Sequence, residues 1–220
     1  MNSSKLWQKV KSCVGNKKFM LGPYFSRQFL DDPKHALFIL SRYKFAAKLL
    51  GEEPKLNVLE LGCNEGLGSL ILGSFAKKVV AVDFDERAIN WAKENIVKEN
   101  IAFQKRDFFK NKIGKFDAMV CIDVMEHLKK NQEEIFLKTL SENLQKDGFC
   151  IIGTPNITAA EYACKASKIG HVNLYDAGRL KKLLLKKFKN VFIFGMNDEV
   201  VHTGFYPMCH YLFALACNKK

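Results

Sequence analysis

The sequence has no apolar run near the ~18 residues that a membrane-spanning helix needs, so no transmembrane helix is expected. Residues 1–18 carry lysines but no continuous apolar stretch of signal-peptide type, and a cytoplasmic location is the expectation. The seven cysteines, at positions 13, 63, 121, 150, 164, 209 and 217, contain no C-x-x-C pair and no zinc-site spacing. Cys63, Cys121, Cys150 and Cys217 lie in or beside apolar stretches, which predicts small core filler in a reducing compartment. Internal repeats, low-complexity tracts and Gly/Ser linkers are also missing. Acid is scarce beside base, 23 residues against 35, for a formal net charge of +12. A basic face would attract nucleic acid, an anionic membrane surface or a phosphorylated substrate. The lysines are spread along the chain, however, and the densest run, Lys181 to Lys187, has the spacing of one amphipathic helix. That favours solvated helix faces and leaves an anionic substrate open.

Against these absences stand 220 residues, 48% of them hydrophobic, which suits one medium domain with a sizeable core. From about Lys55, short apolar runs alternate with amphipathic ones. Residues 57–61, 79–83, 101–105, 118–122 and 149–153 read as buried strands, and 66–75, 86–97, 131–145 and 176–187 as helices. Such alternation predicts a parallel sheet covered on both faces. Residues 191–196 and 211–217 are two more strand-like runs with no helix between them. They suggest an antiparallel C-terminal strand, and their connection, residues 197–210, is long for a hairpin loop. The first 50 residues stand outside the alternation. Asp31-Asp32 before Pro33 offers a helix cap, and residues 33–50 have helical spacing. Residues 1–50 are therefore expected to be a helical extension, covering either the substrate site or one sheet face, on a domain formed by residues 51–220.

The chemistry concentrates at Glu60-Leu61-Gly62-Cys63-Asn64-Glu65-Gly66-Leu67-Gly68. A strand ends at Leu61, glycines allow a sharp turn and close ligand approach, and a helix starts near Gly66. The spacing is not the G-x-G-x-x-G of dinucleotide sites. The G-x-x-x-G-x-G present also occurs in short-chain dehydrogenases, but no tyrosine has the lysine four positions on that those enzymes need. An acid followed by G-x-x-x-G resembles motif I of the class I S-adenosylmethionine-dependent methyltransferases, in their small-molecule branch. Later segments match in order. Val79–Asp83 ends in an acid suited to ribose hydroxyls, with Phe84 behind it for adenine. Asp107 and Phe108 match the pair at the adenine amino group and ring. Asp123-Val124-Met125-Glu126-His127-Leu128 resembles the fourth motif, and Gly148 to Asn156, with its Thr154-Pro155-Asn156, the fifth strand. The resemblance implies a Rossmann-like, seven-stranded, mostly parallel sheet. It implies S-adenosylmethionine as cofactor and S-adenosylhomocysteine as product. Glu60, Gly62, Cys63, Asn64, Gly66, Asp83, Phe84, Asp107, Phe108, Asp123 and Val124 would hold the cofactor, Glu60 near its positive charge.

The sulfonium supplies the electrophile, so the protein must align an acceptor and, where needed, remove its proton. His127 is the first candidate base, because an imidazole titrates near neutrality; it would equally serve to orient the cofactor. His171, in Gly170-His171-Val172-Asn173-Leu174-Tyr175, is the second. Asp123-x-x-Glu126-His127 also resembles the E-x-x-E-H segment of ubiquinone-pathway O-methyltransferases, some of which hold a divalent ion there. Asp123 is one methylene short of that pattern, and no metal is expected. The D/N-P-P-Y/F motif of enzymes that methylate nucleic-acid bases or protein amides is missing. With no aromatic-studded basic patch either, nucleic acid is not the expected partner. Residues 22–28 and 197–210 mix aromatic and hydrogen-bonding groups that suit a polar acceptor. The expectation is methyl transfer to oxygen of a small molecule such as a sugar, a surface-glycan precursor or a phosphorylated metabolite. The competing readings are a non-catalytic cofactor-binding partner subunit and an NAD-dependent dehydrogenase.

Overall fold

The computed structural model describes residues 2–16, 18–110 and 112–220. Three helices come first: α1 (Ser3–Val14), α2 (Pro23–Asp31) and α3 (Pro33–Leu49). Alternation follows with β1 (Asn57–Leu61), α4 (Leu67–Gly73), β2 (Lys78–Asp83), α5 (Glu86–Asn95), β3 (Ile101–Lys105) and β4 (Phe116–Ile122). Next come α6 (Glu133–Asn143), β5 (Leu144–Pro155), α7 (Lys165–Gly170) and α8 (Ala177–Leu184). The chain closes with β6 (Phe188–Asn197), β7 (Val200–His202) and β8 (Tyr211–Lys219).

The strands form one sheet in the order β3-β2-β1-β4-β5-β8-β6-β7. β1 to β5 pair in parallel, β8 runs antiparallel to both β5 and β6, and β7 runs antiparallel to β6. The sheet thus has eight strands rather than seven. The additional strand is β7, cut from the long connection expected after residue 196. Asp198 takes a left-handed φ of 51°, so Asp198 and Glu199 make a tight turn and Asn197 pairs with Val200. β5 also starts earlier than its apolar run, because α6 stops at Asn143 and Leu144 already pairs with Phe116.

Side chains alternate across each strand, and the core divides accordingly. Leu59 and Leu61 of β1 join Met119, Phe136, Leu140 and Leu180 on the face covered by α6 and α8. Val58 joins Ala81, Val120, Ile89 and Leu72 on the face covered by α3, α4 and α5. α3 belongs to this second layer through Tyr43, Ala46 and Ala47, the two alanines with no exposed surface. Asp32 caps it by accepting the His35 N–H at 3.2 Å, with Pro33 at its first position. α2 buries only Phe25, and α1 buries nothing. Among the described residues no helix is long and apolar enough to cross a membrane. The parallel strands end their carboxyl edges together, and the glycine turn after β1 sits on that edge beside the ends of β2 and β4.

Candidate active site

The turn after β1 is held by backbone geometry that side chains would obstruct. Gly62 and Gly66 have φ of 76° and 81°, and Asn64 also sits in the left-handed region at 47°. The N–H groups of Gly62 and Cys63 donate to the Val82 carbonyl at 2.8 and 3.1 Å, and Gly66 N–H closes the turn on Cys63. A Cβ on Gly62 would lie 2.3 Å from Val124 Cγ2, and one on Gly66 2.6 Å from the Phe103 ring. Glycine therefore lets the ends of β1, β2 and β4 converge. Cys63 is buried at the base of the turn.

Asp83 ends β2 with a fixed carboxylate. Its Oδ2 accepts the Asn64 N–H at 2.8 Å and its Oδ1 the Asp85 N–H at 2.9 Å. Each oxygen keeps a lone pair, which fits the two vicinal hydroxyls of a ribose. The turn after β3 is tied to the same point, since Arg106 N–H donates to the Asp83 carbonyl at 2.8 Å. Asp107 there accepts the Phe109 N–H at 3.1 Å and pairs with Lys110. Phe84 is 74% exposed, whereas Phe108 is 7% exposed and packs edge-on against Phe109 in the core.

Glu60 is buried rather than open to the cleft. It points with Val58 toward α4 and accepts the Ser69 hydroxyl at 2.5 Å. Burial pushes its pKa up to about 7, against the opposing pull of the Ser69 and Tyr43 hydroxyls. Glu65 was not among the expected site residues. Its carboxylate accepts the backbone N–H groups of Tyr24 (2.8 Å) and Phe25 (3.2 Å), and so caps the start of α2. Gly22 precedes that helix and supplies no side-chain cap, and a Cβ there would strike the Glu65 carboxylate. A helix start at Gly-Pro with no Ser, Thr, Asp or Asn was the only sign in the sequence of a cap supplied from elsewhere.

At the end of β4 the chain kinks at Asp123, whose φ is 56°. Both its oxygens accept from Nη1 of Arg42 on α3, at 2.9 and 3.1 Å, and the guanidinium lies over the Tyr211 ring at 4.1 Å. Arg42 and Tyr211 were not foreseen as neighbours of Asp123. Val124 fills the space left by Gly62. Glu126 is fully buried; its Oε2 accepts the Thr154 hydroxyl at 3.0 Å, and its Oε1 has no partner among the described residues. Burial, helped by the Asp123 charge, raises its pKa. Its carbonyl accepts the N–H groups of Val172 and Asn173, which draws the loop after α7 over the site.

That loop brings the two candidate bases together, with ring centroids 5.1 Å apart and planes at 70°. His127 is exposed, and its Nδ1 lies 2.9 Å from the Gly170 carbonyl. A carbonyl only accepts, so Nδ1 carries the proton and Nε2 of the neutral ring is left as an acceptor. Partial burial, and then the neighbouring His127, lower the pKa of His171. Among the described residues the group with metal-ligand spacing is Glu126, His127 and His171, with ligand atoms within 4.8 Å of one another. Asp123 belongs instead to its ion pair with Arg42. A hollow of about 410 Å³ adjoins His171, lined also by Lys130, Asn173 and Arg179. A larger, shallow groove of about 650 Å³ runs along Leu37, Leu70 and Phe75, on the outer face of α3 and α4.

Residues 32–188 match a family model described as a methyltransferase domain. The chain belongs to this family, and with its fold it is a class I S-adenosylmethionine-dependent methyltransferase domain. It is 39% identical over 118 residues to a ribosomal protein L11 methyltransferase of Thermosipho africanus, covering 50% of this chain and 42% of that one. It is 33% identical over 114 residues to a ubiquinone biosynthesis O-methyltransferase of Rickettsia akari, covering 50% and 44%. Each match thus spans less than half the length of the relative. The fold is similar to the crystal structure of the N-methyltransferase NodS from Bradyrhizobium japonicum in complex with S-adenosylhomocysteine. The TM-score is 0.58 at 19% identity, over 96% of this chain and 97% of that one.

Proposed function

We propose that the protein transfers the methyl group of S-adenosylmethionine to an oxygen of a small polar molecule, such as a sugar, a surface-glycan precursor or a phosphorylated metabolite. The observation that carries this reading is His127: one ring nitrogen is locked by the Gly170 carbonyl and the other is open at the end of β4. The hollow beside His171 supports a small acceptor, because ligand sites typically enclose ~300–1,000 Å³ and this one is about 410 Å³. Lys130 and His171 on its wall suit a polar or anionic group.

Bound S-adenosylmethionine supplies a methyl group activated by the sulfonium. Asp83 would hold the ribose hydroxyls, and the turn from Gly62 to Gly66 would receive the amino-acid part. With cofactor and acceptor bound, His127 Nε2 would take the proton of the acceptor hydroxyl as that oxygen receives the methyl group. The proton would remain on His127, with the methylated acceptor and S-adenosylhomocysteine as the products. His171, whose ring packs against that of His127, lines the hollow that would take the acceptor.

A protein acceptor is the second reading, favoured by the similarity to the ribosomal protein L11 methyltransferase. Incubation with methyl-labelled S-adenosylmethionine separates the two. Label in a sugar or phosphorylated metabolite supports the first, and label confined to a ribosomal protein supports the second. His127→Ala should lower kcat by about a hundredfold or more while the cofactor Kd from calorimetry stays near its wild-type value. Equal loss of both makes His127 a positioning residue, and undiminished turnover removes it from the reaction.

A further inference from the structure

α1 carries an apolar stripe that none of the described residues covers. Leu6, Trp7, Val10 and Val14 recur at helical spacing and are 46, 59, 46 and 69% exposed. Lys9 borders one side of this stripe and Lys11 the other, with Lys5 further round the polar face. No acidic residue precedes Asp31, whereas Lys5, Lys9, Lys11, Lys17, Lys18 and Arg27 all do. Just beyond the helix, Phe19 and Met20 are also exposed.

We propose that α1 is an interfacial helix that binds an anionic phospholipid surface. Leu6, Trp7, Val10 and Val14 enter the acyl boundary, and the lysines meet the headgroups. Charge complementarity selects this partner, since the segment is uniformly cationic around an apolar stripe that a nucleic-acid backbone would leave in water. Size argues the same way. α1 has 12 residues, too few for the ~20 that span a bilayer. One stripe of that length also falls short of the ~800 Å² per partner of a stable protein interface. A membrane needs no matching surface, only a stripe of this kind lying in its plane.

Vesicle flotation of the full chain tests the proposal. The protein should float with vesicles of equal parts phosphatidylcholine and phosphatidylglycerol about tenfold better than with phosphatidylcholine alone, and less well in high salt. The pair Leu6→Glu and Val10→Glu, and the triple Lys5→Glu, Lys9→Glu and Lys11→Glu, should each lower binding by about tenfold or more. Both should keep the wild-type Tm, because α1 buries no residue. In a Trp91→Phe protein, which keeps Trp7 as its one tryptophan, emission should shift to the blue on anionic vesicles. The proposal is overturned if the wild type ignores anionic vesicles at low salt, or if the Leu6→Glu, Val10→Glu protein floats as well as the wild type. It is also overturned if lipid-free sedimentation shows a dimer that this variant abolishes, since α1 would then pair with a second copy.

Discussion

Glu60→Gln tests whether the carboxyl group under the glycine turn keeps its proton in the folded protein. Burial raises its pKa from an ordinary 4.5 to about 7. Between those values the folded state holds a proton that the unfolded chain has released. The contribution of Glu60 to stability is therefore fully present below pH 4.5, is lost as pH rises to about 7, and is level above that. The loss corresponds to about 3 kcal/mol across the window. Glutamine has no such proton to lose, and its carbonyl can still accept the Ser69 hydroxyl. Glu126 is shifted in the same direction, so the diagnostic quantity is the difference between variant and wild type. Denaturant melts from about pH 5 to about pH 8 should show Glu60→Gln gaining up to about 3 kcal/mol on the wild type as pH rises. Parallel stability curves would refute the reasoning and mean that Glu60 is ionised throughout. Calorimetry adds a second arm. If the cofactor's ammonium group meets Glu60 as a carboxylate, binding should release a proton near neutral pH, and Glu60→Gln should bind it more weakly.

Three further outcomes follow from the turn. Asp83→Asn should weaken cofactor binding by about tenfold or more, the cost of replacing a charged acceptor; calorimetry giving an unchanged Kd would detach Asp83 from the cofactor. Gly62→Ala puts a Cβ 2.3 Å from Val124 Cγ2 at a φ of 76°. It should cost about 1–3 kcal/mol in denaturant melts, partly restored by Val124→Ala, and no restoration would leave backbone strain as the whole cost. Glu65→Ala uncaps α2 and should cost about 1–2 kcal/mol, with faster hydrogen exchange in α2 but not in β1 or β4; unchanged exchange would show that Phe25 alone holds the helix.

The parallel half of the sheet was legible because its strands are buried on both faces. Residues 57–61 therefore read as a short apolar run with the same bounds that the structure gives them, and residues 101–105, though an edge strand with only Phe103 buried, carry the same bounds as well. The glycine turn and Asp83 were legible because β1 ends next to β2, so motifs 20 or so residues apart in sequence must meet at one edge. β7 was not, since three residues at a sheet edge carry no period that distinguishes them from a loop. The partners of Asp123 and Glu65 were hidden for another reason. Arg42 is separated from Asp123 by 81 positions, and Tyr24 from Glu65 by 41, and pairing at that range is decided by tertiary packing. His127 and His171 each stood out singly, but their contact depends on the Glu126 carbonyl drawing in the loop after α7.

The two polar ties on the N-terminal helices are not equivalent. Arg42 sits on α3, which also places Tyr43, Ala46 and Ala47 in the core, so α3 cannot leave the sheet without exposing that core to water. Its pairing with Asp123 therefore fixes the kink after β4 as part of the folded domain. α2 contributes one buried ring, Phe25, and its remaining tie to the glycine turn is the cap from Glu65. A helix with one buried ring, a few half-buried side chains and two hydrogen bonds from Glu65 opens at lower cost than one anchored in the core. Glu65 follows Asn64, whose N–H is bonded to Asp83, so whatever moves the turn acts on the cap of α2 directly. α2 is thus coupled to the glycine turn through Glu65, and α3 is the core-anchored element against which it is set.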